Sequence, residues 1–175
     1  MGRAYRDLIT RTFELRDRSS SGLRVHLDLT ASSRELVDGT YGDAPLTGVL
    51  GSPGPDRDLV GTYRVGPYLV SDRFLDVLRG ENLQGWRATE CHVSVLSGIR
   101  LHLLQALGRA GPLWVWTGSG GDPDESDPDP GDGFDFFLSG DSSQIYLSEV
   151  AASRLTAARL RNVLIEPADV VFLPR

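Results

Sequence analysis

The chain has 175 residues, a hydrophobic content of 40%, a net charge of −6 and a single cysteine, Cys91. That length suits one domain with a core of its own, and one cysteine excludes an internal disulfide scaffold. The longest apolar runs, such as Val170-Val171-Phe172-Leu173, are too short to span a bilayer, and the first residues lack the apolar stretch of a secretory signal, so a cytoplasmic protein with no membrane partner is expected.

All 18 basic residues are arginine, a bias that reads as the codon usage of a GC-rich genome and not as a recognition surface. The negative charge has a local origin. Asp122, Asp124, Glu125, Asp127, Asp129 and Asp132 lie within residues 118–133, with no basic residue among them, which leaves the rest of the chain neutral. A neutral body with one acidic loop does not suit a phosphate backbone, so nucleic acid is not an expected partner.

In chain order, residues 10–30 read as an N-terminal β-hairpin: Leu23, Val25, Leu27 and Leu29 alternate with Arg24, His26 and Asp28 after a turn at Ser19–Gly22. Ser32 or Ser33 is placed to cap a short helix over Arg34–Val37. Residues 38–58, rich in Gly, Pro and Asp, read as a loop. A first strand–helix–strand unit is expected over residues 68–96. In it Tyr68-Leu69-Val70 leads into Ser71 as N-cap and Asp72 in the first turn, with Phe74, Leu75 and Leu78 at helical spacing, Gly80 at the end, and a returning strand from Trp86. Residues 99–107 fit helix and strand about equally and are read as strand.

The acidic loop follows Trp114 and Trp116 and precedes Phe134, Phe136 and Phe137. A second unit is expected over residues 145–173. At an offset of 77 residues, Leu69-Val70-Ser71-Asp72 falls on Tyr146-Leu147-Ser148-Glu149, Leu78 on Leu155, Leu83 on Leu160, and Gly85 on Asn162. Gly and Asn both tolerate the left-handed backbone of a tight turn. The fold class is therefore α+β: a single domain over residues 1–175, with two similar strand–helix–strand units packed on a mixed or antiparallel sheet.

No residue set calls for catalysis, a metal or a cofactor. Cys91 and His92 are neighbours on a strand and point to opposite faces, so they do not pair as nucleophile and base. His26 and His102 fall on the outward phase of their strands. The chain has no set of four soft ligands for zinc, and Pro123, Pro128 and Pro130 interrupt any calcium-loop register. Phosphate-cradling glycines and a nucleophile elbow are absent. What remains is a binding surface. The acidic loop (Asp122, Asp124, Glu125, Asp127, Asp129, Asp132) would steer a basic protein partner, with Trp114 and Trp116 as anchors.

The segment Leu69-Val70-Ser71-Asp72-Arg73-Phe74, followed by Leu83-Gln84-Gly85-Trp86 and a strand near Cys91–Val93, resembles a strand–serine–helix–turn–strand pattern of two bacterial groups. These are immunity-protein family 43 of polymorphic toxin systems and the double-CXXCG proteins of myxobacteria. Asp135-Phe136-Phe137 ahead of Ile145–Val170 resembles their C-terminal part, and the similarity covers residues 60–95 and 134–173. The CXXCG pairs themselves are absent, so no zinc role carries over. The resemblance implies an immunity protein that binds and neutralises a cognate toxin domain; it assigns no individual binding residue. The competing expectations are a small-molecule or enzymatic domain using a pocket between the two units, and a scaffold module in a larger complex.

Overall fold

A computed structural model describes residues 12–18, 24–43, 45–50, 57–94, 100–110, 134–139 and 143–168. In chain order the elements are β1 (Phe13–Asp17), β2 (Arg24–Leu27), α1 (Ser33–Asp38), β3 (Leu46–Leu50), β4 (Leu59–Thr62), β5 (Tyr68–Ser71), α2 (Asp72–Gly80), β6 (Trp86–Ser94), β7 (Leu101–Ala106), β8 (Gly108–Ala110), β9 (Phe136–Ser139), β10 (Ile145–Leu147), α3 (Glu149–Ala157) and β11 (Val163–Pro167). Helices and strands are thus both present, as an α+β chain requires.

The strands form two mixed assemblies. Six close a barrel in the order β2-β3-β6-β7-β5-β4, and five form a sheet in the order β11-β1-β10-β9-β8. Closure of the barrel departs from the simple sheet expected from the sequence. It rests on two parallel pairings, β2 with β4 and β3 with β6, neither of which leaves a local sequence signature.

Period-two alternation explains how two cores share these strands. Val25, Leu27, Leu46, Val60, Leu69, Cys91, Leu101 and Leu103 come from one face of all six barrel strands and, with Leu36 of α1, fill the barrel. The opposite faces of β5 and β7 present Tyr68, Val70, Leu104 and Ala106 to a second core. There they meet Phe74 and Leu78 of α2, Ala151 and Leu155 of α3, and Leu15, Phe136, Leu138 and Leu147 of the five-stranded sheet. A strand buried on both faces reads as a continuous apolar run. That is why residues 99–107 looked equally helical.

Two expectations are corrected. Residues 10–30 do not form a hairpin: β1 pairs with β10 and β11, whereas β2 pairs with β3 and β4. Alternation fixes which face is buried but not the partner, and the two strands send Leu15 and Val25 into different cores. Residues 38–58 are not all loop, because β3 lies between β2 and β6. Its signal is hidden by Gly48, where a Cβ would sit 2.6 Å from Val25 Cγ1; the close approach of β2 demands the glycine that makes the segment look irregular.

The local helix signals hold. Ser32 caps α1 in a capping box with Glu35, and Gly39 closes it in the left-handed conformation. Ser71 and Ser148 cap α2 and α3, accepting the backbone N–H groups of Phe74 and Ala151 at 3.1 Å each. No helix among the described residues is long and apolar enough to cross a membrane.

Candidate functional site

Both cap serines do more than end a helix. The Ser71 hydroxyl donates to Asp58 Oδ1 at 2.8 Å, and the Ser71 N–H donates to the Asp58 carbonyl at 3.1 Å. Asp58 then reaches across the molecule. Its Oδ2 accepts the backbone N–H of Arg161 at 2.6 Å, and its own N–H donates to the Arg161 carbonyl at 3.1 Å. The residue is 4% exposed, so these bonds replace the water its carboxylate has lost.

The same four bonds recur at Asp135. Ser148 donates its hydroxyl to Asp135 Oδ1 at 2.6 Å and its N–H to the Asp135 carbonyl at 2.9 Å. Asp135 Oδ2 accepts the N–H of Gln84 at 2.8 Å, and the Asp135 N–H donates to the Gln84 carbonyl at 2.9 Å. Asp58 and Asp135, Ser71 and Ser148, and Gln84 and Arg161 are each 77 residues apart. Each aspartate thus clasps the cap of the helix on its own side to the turn that follows the other helix. The turns match too: Gly85 (φ +80°) and Asn162 (φ +65°) both take left-handed backbone, and their carbonyls accept Leu107 N–H at 2.8 Å and Arg18 N–H at 3.1 Å.

Around the Asp58 clasp lies a cavity of about 500 Å³, lined by Arg57, Arg73, Arg100 and Arg161 together with Asp58, Ser71 and Asp72. Arg73 Nη1 bonds Asp58 Oδ2 at 3.0 Å, and Arg100 lies 3.6 Å from Glu90. The guanidinium groups of Arg57 and Arg161 meet no partner among the described residues. Asp72 Oδ1 is 2.7 Å from His102 Nε2. A second cavity of about 560 Å³ shares Arg161 and adds Arg18 and Arg159 over the apolar Leu155, Leu160 and Val163. At the Asp135 clasp the residues corresponding to Arg57, Arg73 and Arg161 are Phe134, Val150 and Gln84. Phe134 packs over Gly85 yet stays 44% exposed, and Val150 is 58% exposed. One clasp is rimmed with cations, the other with apolar surface.

The residues singled out in the sequence fall elsewhere. Trp114, Trp116, Asp122, Asp124, Glu125, Asp127, Asp129 and Asp132 lie outside the described residues, in the stretch joining β8 to Phe134. Cys91 is buried inside the barrel, where desolvation pushes its thiol up to about 11, far from thiolate reactivity at neutral pH. His26 is exposed, its ring edge-on to Tyr63 at 5.9 Å. His102 is not an open surface histidine: its side chain is 13% exposed and engaged by Asp72. Ser71 has spent its hydroxyl proton on Asp58, and no bond links it to His102 among the described residues, so Ser71, His102 and Asp72 do not form a relay. No three His, Cys, Asp or Glu side chains gather as a metal site among the described residues.

Asp58, Arg57 and Arg161 carry no signal of a site in the sequence, and Arg73 stands there only within the Leu69–Phe74 segment. The 77-residue offset, continued upstream of each unit, sets Asp58 against Asp135. The arginines carry no such signal, because every cation in the chain is an arginine. Comparison with known protein families finds no family model that matches the chain, and no curated protein matches it either.

Proposed function

We propose that this chain is a binding protein of immunity type, which neutralises a cognate bacterial toxin by covering it, and that it is not an enzyme. The carrying observation is the place of the acidic segment. Six carboxylates with no basic residue among them in sequence are inserted between β8 and β9, and the chain re-enters the described fold at the exposed Phe134; Val150, in the first turn of α3, is exposed as well. Negative charge next in sequence to an exposed aromatic suits a basic protein surface, the charge accelerating encounter and apolar contact contributing affinity. The resemblance of the Ser71 and Ser148 segments to immunity-protein family 43 points the same way.

We infer further that the molecule is built from two related strand–helix–strand units, over residues 68–96 and 145–173, within one domain. The matched clasps support this, and so does strand order. β7 lies between β5 and β6 as β1 lies between β10 and β11, and β2 runs parallel to β4 as β8 runs parallel to β9. On this reading β1, from the far end of the chain, completes the second unit. The segment between β2 and β4, which holds α1 and the barrel-closing β3, then has the acidic segment as its counterpart between β8 and β9. A stretch that closes the barrel in one unit is replaced in the other by one rich in charge and poor in apolar residues.

The test is capture. The variable C-terminal domain of a large secreted protein encoded beside this chain should bind it one-to-one, and the association rate should fall steeply with added salt. Failure to bind that domain, or binding with no protection of cells that express it, would remove the immunity reading.

A further inference from the structure

We propose that the arginine-lined cavity at the Asp58 clasp is a binding site for a phosphate-bearing small molecule. This rests on the bonds of the two clasps, not on the identity of any toxin.

At Asp135 the same serine, carboxylate and backbone bonds are made with Phe134, Val150 and Gln84 at the positions that Arg57, Arg73 and Arg161 hold at Asp58. The fold therefore asks for no arginine at any of the three. Yet all three line one cavity, and Arg100 joins them from the start of β7. Gathering four guanidinium groups around one concavity opposes folding through like-charge repulsion unless carboxylates or a ligand offset it.

The carboxylates present offset only part. Asp58 already accepts Ser71 Oγ on Oδ1, and Arg73 with the Arg161 N–H on Oδ2. Asp72 is engaged by His102. Four arginines against Asp58, Asp72 and the Glu90 that pairs with Arg100 leave an excess of one positive charge, and Arg57 and Arg161 have no carboxylate among the described residues. The planar fork of arginine matches phosphate oxygens two at a time. A cavity near 500 Å³ is of the size that holds a small ligand. The remaining positive charge and the two unpaired guanidinium groups favour an anionic ligand. Asp72, with one oxygen on His102, offers an acceptor for a hydroxyl carried by the same ligand.

Calorimetric titration of the full chain with inorganic pyrophosphate and with a nucleoside diphosphate tests this. One-to-one binding of either is expected; equal affinities assign the site to the diphosphate alone, and tighter binding of the nucleotide assigns it to a nucleotide. Arg57→Gln and Arg161→Gln should each weaken binding about tenfold, because Arg161 serves the clasp only through its backbone. Arg79→Gln, on the exposed end of α2 and outside the cavity, should leave binding unchanged. Absence of binding of both probes at 10 mM (a ceiling of about this size is set by the weakest useful affinities) would overturn the proposal. So would an equal loss in Arg79→Gln, or tighter binding of a single-stranded RNA oligonucleotide through the same arginines.

Discussion

The Asp58 carboxylate accepts the backbone N–H of Arg161 at 2.6 Å across 103 residues of chain, joining the cap of α2 to the turn that follows α3. Its counterpart joins Asp135 to Gln84. Together the two bonds tie each helix to the far end of the other, so the second core beneath them is fixed from both sides.

Asp58→Ala should destabilise the fold by about 3–4 kcal/mol, since it strands the Ser71 hydroxyl and the Arg161 N–H and releases Arg73. Asp135→Ala should cost less, about 2 kcal/mol, because that residue is only half-buried. Urea unfolding of both variants measures the difference. A loss below about 0.5 kcal/mol at Asp58, the range of ordinary surface substitutions, would show that the clasp contributes nothing.

Ser71→Ala and Ser148→Ala should each cost about 1–2 kcal/mol, the worth of an N-cap with a second bond. In a double-mutant cycle, Ser71→Ala and Asp58→Ala should couple by at least about 0.5 kcal/mol, as residues in one hydrogen-bond network do. Additive losses would mean that cap and clasp act independently.

Cys91 should react slowly with thiol reagents at pH 8 in the folded state and readily in denaturant. Its folded pKa, about 11, lies above the ordinary value of 9.0, so between those pH values the unfolded chain has lost the proton that the folded chain keeps. Stability relative to Cys91→Ala is therefore constant below pH 9 and falls by about 1.4 kcal/mol per pH unit as pH rises toward 11. Parallel stability curves for the two proteins over that window would contradict the burial argument.

Gly48→Ala should destabilise by about 1–3 kcal/mol, because the added methyl meets Val25 Cγ1 at 2.6 Å in the filled barrel. A change within about 0.5 kcal/mol would show that β2 gives way and that the barrel is less tightly closed than its geometry.

What the sequence made legible was local. Ser32, Ser71 and Ser148 announced their helices because a cap bonds N–H groups three residues ahead. The partners of β1 and β2 were hidden, since alternation encodes a face and not a neighbour, and β3 was hidden by the glycine its packing requires. Asp58 stood in a segment of Gly, Pro and Asp, with its partners 13 and 103 residues away. The acidic segment was plain in composition because charge density needs no structure to be seen. The arginine cavity was not, for it gathers residues 57, 73, 100 and 161 from four places in the chain.

The two clasps hold the fold, while the arginines around one of them serve another purpose. The double variant Arg57→Gln/Arg161→Gln keeps every clasp bond and removes the two guanidinium groups that have no partner among the described residues. Its unfolding free energy in urea should match that of the parent chain within about 0.5 kcal/mol, or exceed it as like-charge repulsion is relieved. A loss of about 2 kcal/mol or more, the scale of a broken buried network, would make the arginines part of the scaffold and contradict the claim.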